Sequence, residues 1–250
     1  MKYLHFFVAF TLFIIESLFS YVFCVFPAFV LKTFGAEKKS VELYQKFTYF
    51  LTNSILIFLN VKVHVKGMEN LPQDLKNVAF VSNHQSFLDI VAYYAVLKII
   101  PIPIAKVEVM KLPIISNFVH GLNSILIDRK SPRSSIKAIH LAVERLKNGG
   151  SCIIFPEGTR SKNGVIGELK AGSFKMALHA KSTLVPLVVN GGRLAFEDKK
   201  GWHRYTMYIQ ILPPFETKTL DREQQKTVAG TISQQMKQSY AALPALQEKR

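Results

Sequence analysis

His84 and Asp89 stand five positions apart in the stretch Asn83-His84-Gln85-Ser86-Phe87-Leu88-Asp89. A neutral imidazole has an unperturbed pKa of about 6.5, so it accepts a proton near neutral pH. A carboxylate bonded to the other ring nitrogen fixes the tautomer and stabilises the imidazolium as it forms. His84 is therefore a candidate general base and Asp89 the group that holds it. Two other readings compete. Ser86-Phe87-Leu88-Asp89 fits a Ser-x-x-Asp capping box, in which Asp89 caps a helix and His84 is an ordinary loop histidine. Ser86 as a nucleophile served by His84 is the third, but the Gly-x-Ser-x-Gly elbow is absent and a cap already accounts for the serine.

Phe155-Pro156-Glu157-Gly158-Thr159-Arg160-Ser161 forms a second constellation. Gly158 permits a tight turn or the close approach of a ligand. Thr159 and Arg160 offer donors to an oxyanion, and a guanidinium grips phosphate in bidentate fashion. Glu157 is out of place in an anion site; it would orient Arg160 by an ion pair or bind a hydroxyl. Arg129, after Asp128, is a third candidate. Lys106 ends an apolar run, but position alone does not separate it from the many solvated lysines of a basic chain. The alternative for all of these is a solvated polar loop.

The elements that would position these groups can be read from pattern. Val78-Ala79-Phe80-Val81 reads as a buried strand and residues 90–97 as a helix, so His84 falls where a strand hands over to a helix. Open α/β sheets bind ligands outside the carboxyl ends of their strands. Residues 61–66 alternate like a half-exposed strand with His64 on the polar face. Residues 101–106 carry two prolines, which limit them to a short strand or an edge. Residues 124–127, 151–155, 183–189 and 205–212 read as further strands. Ser131-Pro132 opens a helix that Gly149-Gly150 closes. A short helix runs to about Ala180, and residues 222–240 suit a surface helix. Strands alternating with helices predict an α/β fold with a sheet covered by helices. His84, Arg129 and Glu157-Arg160 each follow a strand, which suggests one shared cleft.

The chain has 250 residues and a net charge of +15, with a pI of about 9.8 and a mean hydropathy of +0.17. Such a charge favours anionic partners: nucleic acid, an anionic membrane face or phosphorylated substrates. Cys24 and Cys152 lie in apolar runs, which gives neither a disulfide framework nor metal-ligand spacing. Between Lys2 and Lys32, Glu16 is the single formal charge. A helix over residues 4–31 would reach roughly 40 Å, enough to span a bilayer, with Pro27 kinking or ending it. An uncleaved membrane anchor is preferred to a signal peptide, because the basic region is only Lys2 and no small-residue cleavage site stands out. Residues 41–59 carry apolar groups at helical spacing, as an interfacial amphipathic helix or a core helix would. The expected organisation is an amino-terminal membrane-associated hairpin of two helices over residues 1–60, then an α/β domain over residues 61–250.

The motifs resemble those of the glycerolipid acyltransferases. His84 with Asp89 looks like that family's H-x4-D motif, and Phe155 to Ser161 matches its FPEGTRS motif without a change. Ile127-Asp128-Arg129 resembles the motif between them, and Val185-Pro186-Leu187-Val188-Val189 the one after. Lys106 with Pro113, and Lys170-Ala171-Gly172, also fit. The match covers roughly residues 78 to 192, and the 1-acyl-sn-glycerol-3-phosphate acyltransferases are the nearest subgroup in size and in their amino-terminal membrane helices. The resemblance implies that His84, oriented by Asp89, deprotonates the sn-2 hydroxyl of lysophosphatidic acid. That oxygen then attacks acyl-CoA or acyl-acyl carrier protein directly, without a metal, a cofactor or a covalent intermediate. Arg129 and Arg160 with Lys106 would hold the acceptor phosphate, and Glu157, Gly158 and Thr159 would shape the pocket. The setting would be an anionic membrane surface, with the catalytic domain on the cytoplasmic face, the inner membrane if bacterial. Another acceptor within the family is the first alternative: a different lysophospholipid, glycerol 3-phosphate or a lyso-aminolipid. A non-enzymatic basic membrane or nucleic-acid binder is the second; no nucleic-acid motif supports it.

Overall fold

The computed structural model describes residues 15–16, 18–97, 99–198, 201 and 203–244. Its centre is an eight-stranded sheet. The strands are β1 (Val61–Lys66), β2 (Val78–Ser82), β3 (Ile102–Lys106), β4 (Ile125–Ile127), β5 (Ser151–Ile154), β6 (Thr183–Asn190), β7 (Tyr205–Ile211) and β8 (Phe215–Glu216). They are ordered β1-β7-β6-β2-β5-β3-β4, with β8 also beside β6. The run β6-β2-β5-β3-β4 is parallel. β7 and β8 are antiparallel to β6, and β1 is parallel to β7. The sheet is thus mixed and flanked by helices, as the strand-helix alternation predicts.

The helices are α1 (Phe26–Thr33), α2 (Glu37–Phe58), α3 (Leu88–Val96), α4 (Pro113–Gly121), α5 (Pro132–Lys147), α6 (Lys175–Ala180), α7 (Gly192–Ala195) and α8 (Arg222–Ala241). Period-two alternation divides the core between the two sheet faces. Ala79 and Val81 of β2 pack with Ala142 and Leu146 of α5 and with Ile232 and Met236 of α8. Val78 and Phe80 pack on the other face with Leu56 of α2 and Leu88 of α3. Strands covered on both faces need apolar residues at every position, which is why β2 and β6 read as unbroken runs. Each large side chain buried this way contributes about 1.5–3 kcal/mol.

Prolines fall where the ladder does not need them. Pro186 lies between the pairing of β6 with β8, through Thr183 and Leu184, and its pairing with β7 from Leu187 onwards. Its missing N–H therefore breaks no bond on that edge. β3 is short, as its prolines require, but it is interior. It pairs with β5 only through Ile102 and Pro103, then with β4 from Ile104 onwards.

Residues 1–14 and Ser17, part of the apolar amino-terminal segment, lie outside the described residues. Pro27 neither ends nor sharply breaks the helical path. A wider π-type turn over Tyr21–Val25 precedes it, with the Phe26 amide donating to the Tyr21 carbonyl, and the path runs on through Pro27 into α1. α2 buries a stripe of Ser40, Tyr44, Phe47, Thr48, Thr52 and Leu56. Leu56 joins the α3 side of the main core, while Tyr44 and Phe47 form a smaller cluster with Cys24 and Ala28. α2 is therefore a core helix along one face. The rest of this region leaves Phe23, Phe26, Phe29, Phe34, Phe50 and Ile57 exposed. Among the described residues, no helix is long and apolar enough to cross a membrane.

Candidate active site

The carboxyl ends of the parallel strands open onto one edge of the sheet. Taken across it, β6 ends at Asn190, β2 leads into His84, β5 into Glu157, β3 ends at Lys106 and β4 leads into Arg129. With strands about 4.8 Å apart, β4 lies roughly 14 Å from β2. His84 is central, and Arg129 approaches from a distant strand.

His84 and Asp89 are in direct contact, Nδ1 to Oδ2 at 2.9 Å. Asp89 is fully buried. Its Oδ2 also accepts the amides of Gln85 at 2.7 Å and Ser86 at 2.8 Å. A carboxylate oxygen facing three donors makes Nδ1 the protonated nitrogen and leaves Nε2 with its lone pair. Phe155 stacks on the imidazole with ring centroids 4.1 Å apart, which fixes the ring plane. The capping reading is realised in part: the Asp89 amide donates to the Ser86 carbonyl at 3.3 Å rather than to Ser86 Oγ, so the reciprocal box is not closed. The Leu88 amide donates to Ser86 Oγ at 3.0 Å while Asp89 accepts from the Ser86 amide. Asp89 therefore caps α3 and holds His84 with the same oxygen.

Consecutive residues of this turn are tied to different elements. Asn83 exchanges two bonds with the Val189 backbone, like one extra rung of the ladder, at 2.8 and 2.9 Å. The His84 amide donates to Glu157 Oε1 at 2.7 Å, and the Ser161 amide donates to the His84 carbonyl at 2.7 Å. Gln85 Nε2 donates to the Gly164 carbonyl and to the hydroxyl of Tyr240 on α8, which itself donates to Asn190. Ser86 Oγ donates to Glu197 at 2.6 Å. Each anchor lies far away in sequence, so the completed sheet and α8 set the position of the base.

Glu157 does not form the ion pair with Arg160. Its two oxygens accept the amides of His84 and Gly167, the latter at 2.9 Å, which makes it a clamp between two loops. Burial pushes its carboxyl above the ordinary range, although those two amides pull the other way. Arg160 pairs instead with Glu197, Nη1 to Oε1 at 2.8 Å. Gly158 has a φ of +74°, and a Cβ there would lie 3.1 Å from Lys170 Nζ, so a glycine is needed and a lysine ammonium stands beside it. Thr159 and Lys106 are exposed. Burial lowers the Arg129 guanidinium from its usual value while Glu108 acts in the opposite sense; it stays charged. Arg160 is drawn to the segment after β6, whereas Lys106 and Arg129 end other strands of the same edge.

Sequence reasoning passed over Glu197, Tyr240 and Gly192. A Cβ on Gly192 would come within 2.9 Å of both Asp89 Oδ1 and Ser86 Cβ, so the segment after β6 roofs the pair. Asn190-Gly191-Gly192 reads as a strand end, but no local pattern says that it closes over His84. Two adjacent acidic residues soon after that strand, Glu197 and Asp198, are unusual in a chain this basic, but they do not by themselves single out Glu197. Cys24 and Cys152 are buried free thiols, both pushed up to about 12 by burial, and take no part in the site.

The chain is similar to known proteins in sequence and in fold. Residues 62–190, more than half of the chain, match the family model described as Acyltransferase. The chain is 36% identical over 150 residues to a chloroplastic 1-acyl-sn-glycerol-3-phosphate acyltransferase of Arabidopsis thaliana, covering 59% of this chain and 42% of that protein. It spans less than half the length of such chloroplastic relatives. It is 28% identical over 218 residues to a probable 1-acyl-sn-glycerol-3-phosphate acyltransferase of Mycoplasma pneumoniae, covering 82% of this chain and 81% of the other. The crystal structure of the 1-acyl-sn-glycerophosphate (LPA) acyltransferase of Thermotoga maritima superposes with a TM-score of 0.69 at 25% identity, over 94% of this chain and 96% of that one.

Proposed function

Since the chain belongs to the acyltransferase family, we propose that it moves a fatty acyl group from a thioester to the sn-2 hydroxyl of 1-acyl-glycerol-3-phosphate, giving phosphatidic acid. The observation that carries this reading is the His84–Asp89 contact of 2.9 Å at the carboxyl ends of the parallel strands. Nε2 of His84 takes the hydroxyl proton as the acceptor oxygen bonds to the thioester carbonyl carbon. The carbon–sulfur bond then breaks, and the imidazolium returns the proton to the leaving thiolate. A positioned base of this kind contributes roughly 10²–10⁴-fold. Asp89 holds the ring and offsets its charge. No step needs a side-chain nucleophile, and Ser86 Oγ is already bound to Glu197 and the Leu88 amide.

Arg160 and Arg129, with Lys106, supply positive charge for the acceptor phosphate. Lys170, close above Gly158, adds a fourth cation to this edge. The exposed phenylalanines of the amino-terminal region make an apolar face suited to a membrane interface, where a lysophospholipid resides. Exposed Lys32, Lys38 and Lys39 beside it suit an anionic leaflet. We place the catalytic domain on the cytoplasmic side, with acyl-CoA or acyl-acyl carrier protein as donor. Purified protein offered a panel of acceptors and both donors, with products identified by mass, tests the reading. Phosphatidic acid from lysophosphatidic acid supports it; equal transfer to acceptors lacking a phosphate removes the roles of Arg129 and Arg160.

A further inference from the structure

The segment after β6 folds back over the start of α3, held by a two-bond pair between Arg193 and Asp198 at 2.6 and 2.9 Å. Phe196 packs near Phe87 with ring centroids 6.0 Å apart. This delivers Glu197 to the turn that carries His84. Its Oε2 accepts from Ser86 Oγ at 2.6 Å and its Oε1 from the Phe87 amide at 3.0 Å. Both donors belong to the rigid turn that ends in the Asp89 cap. The same Oε1 accepts from Arg160 Nη1 at 2.8 Å. Glu197 is thus an anion fixed on the histidine turn, and one half of the Arg160 guanidinium is moored to it. The arginine is half-exposed, so its other N–H groups remain available to a ligand.

We propose that Glu197 is a positioning residue for the acceptor phosphate: it holds the Arg160 guanidinium in one place beside the histidine turn, ready to receive the phosphate. The proposal rests on the reading that Arg160 holds the acceptor phosphate. An arginine side chain left alone spreads its charge over many rotamers, whereas a carboxylate moored by two donors keeps one of them. The anchor sits two residues from His84, so base and phosphate site share one frame. Glu197 also keeps Ser86 Oγ engaged as a donor, away from reaction with the thioester.

A double-mutant cycle separates the inference from the reading beneath it. Steady-state kinetics with lysophosphatidic acid would be measured for wild type, Glu197→Gln, Arg160→Ala and the double variant. Glu197→Gln has the same shape, and its amide oxygen can still accept from the turn. The expected result is a rise of roughly 3- to 10-fold in KM for lysophosphatidic acid with kcat little changed. Arg160→Ala should raise KM at least as much, and the double variant no further than Arg160→Ala alone. If Arg160→Ala leaves KM unchanged, the phosphate reading fails. If Arg160→Ala raises KM and Glu197→Gln does not, this inference alone fails. A lower KM in Glu197→Gln, or effects of the two changes that simply multiply, would also overturn it, because Glu197 would then compete with phosphate or act independently of Arg160.

Discussion

Asp89→Asn separates the two tasks of one carboxylate. In the native site Oδ2 accepts His84 Nδ1 and the amides of Gln85 and Ser86 at 2.9, 2.7 and 2.8 Å, while buried Oδ1 has no partner. Two backbone N–H groups pin the orientation of the new amide: its oxygen must take the place of Oδ2, and its NH₂ the place of Oδ1. The cap therefore survives, and His84 keeps its proton on Nδ1. Two costs follow. The NH₂ is buried without an acceptor, about 1–3 kcal/mol, set against relief from burying a charge. A net loss of about 1–2 kcal/mol lowers Tm by about 2–8 °C for a chain of this size. The imidazolium that forms during transfer also loses its counter-charge. In a serine-protease triad the same change costs about 10⁴-fold, largely because the amide selects the wrong tautomer. Here the tautomer is kept, so a fall of about 10²–10³ in kcat is expected. Thermal unfolding and initial rates of acyl transfer on the same preparation are the assay. A kcat near wild type in a folded protein would refute the orienting role and leave Asp89 as a cap only.

Glu157→Gln sets an NH₂ against one of the two amide donors that Glu157 now accepts, so a loss of about 1–2 kcal/mol is expected by chemical denaturation, with kcat reduced through a displaced His84 backbone. The raised Glu157 carboxyl also gives a pH signature. The folded state holds that proton more tightly than the unfolded chain, so the group's contribution is most favourable below the ordinary carboxylate range and declines as pH rises through the raised folded value. The stability margin of wild type over Glu157→Gln should therefore shrink as weakly acidic solutions are neutralised; a margin that grows would contradict the burial argument. Gly192→Ala places a Cβ 2.9 Å from Asp89 Oδ1 and Ser86 Cβ, and overpacking of about 1–3 kcal/mol with a clear fall in kcat should appear in unfolding and rate measurements. Tyr240→Phe removes the hydroxyl that joins Gln85 to Asn190, so a cost of about 1–2 kcal/mol and a smaller loss of rate are expected; an unchanged Tm would show that the α8 tie is idle.

Much of the frame was legible because its signals are local. β2, β5 and β6 announced themselves as apolar runs, Ser131 caps α5 as read, and the strand-to-helix position of His84 came from pattern alone. The site was legible only at its centre. His84–Asp89 is a contact at short sequence distance, so spacing could suggest it. The roles of Glu157 and Arg160 could not be read this way, because neither pairs with its neighbour in sequence. Glu157 is fixed by amides at His84 and Gly167, and Arg160 by a carboxylate 37 residues away. Tyr240 reaches the site from 155 residues beyond Gln85. Such pairings depend on strand order, and the crossing that lays the segment after β6 over α3 has no signature in composition or period.

The most direct test is His84→Ala assayed for acyl transfer to lysophosphatidic acid, with phosphatidic acid detected by mass and folding checked by thermal unfolding. His84 keeps its side chain partly exposed against Phe155, and its backbone ties to Glu157 and Ser161 do not depend on the ring. The fold should therefore persist while product formation falls by roughly 10²–10⁴-fold. Phosphatidic acid formed at close to the wild-type rate by the folded variant would contradict the assignment of His84 as the base.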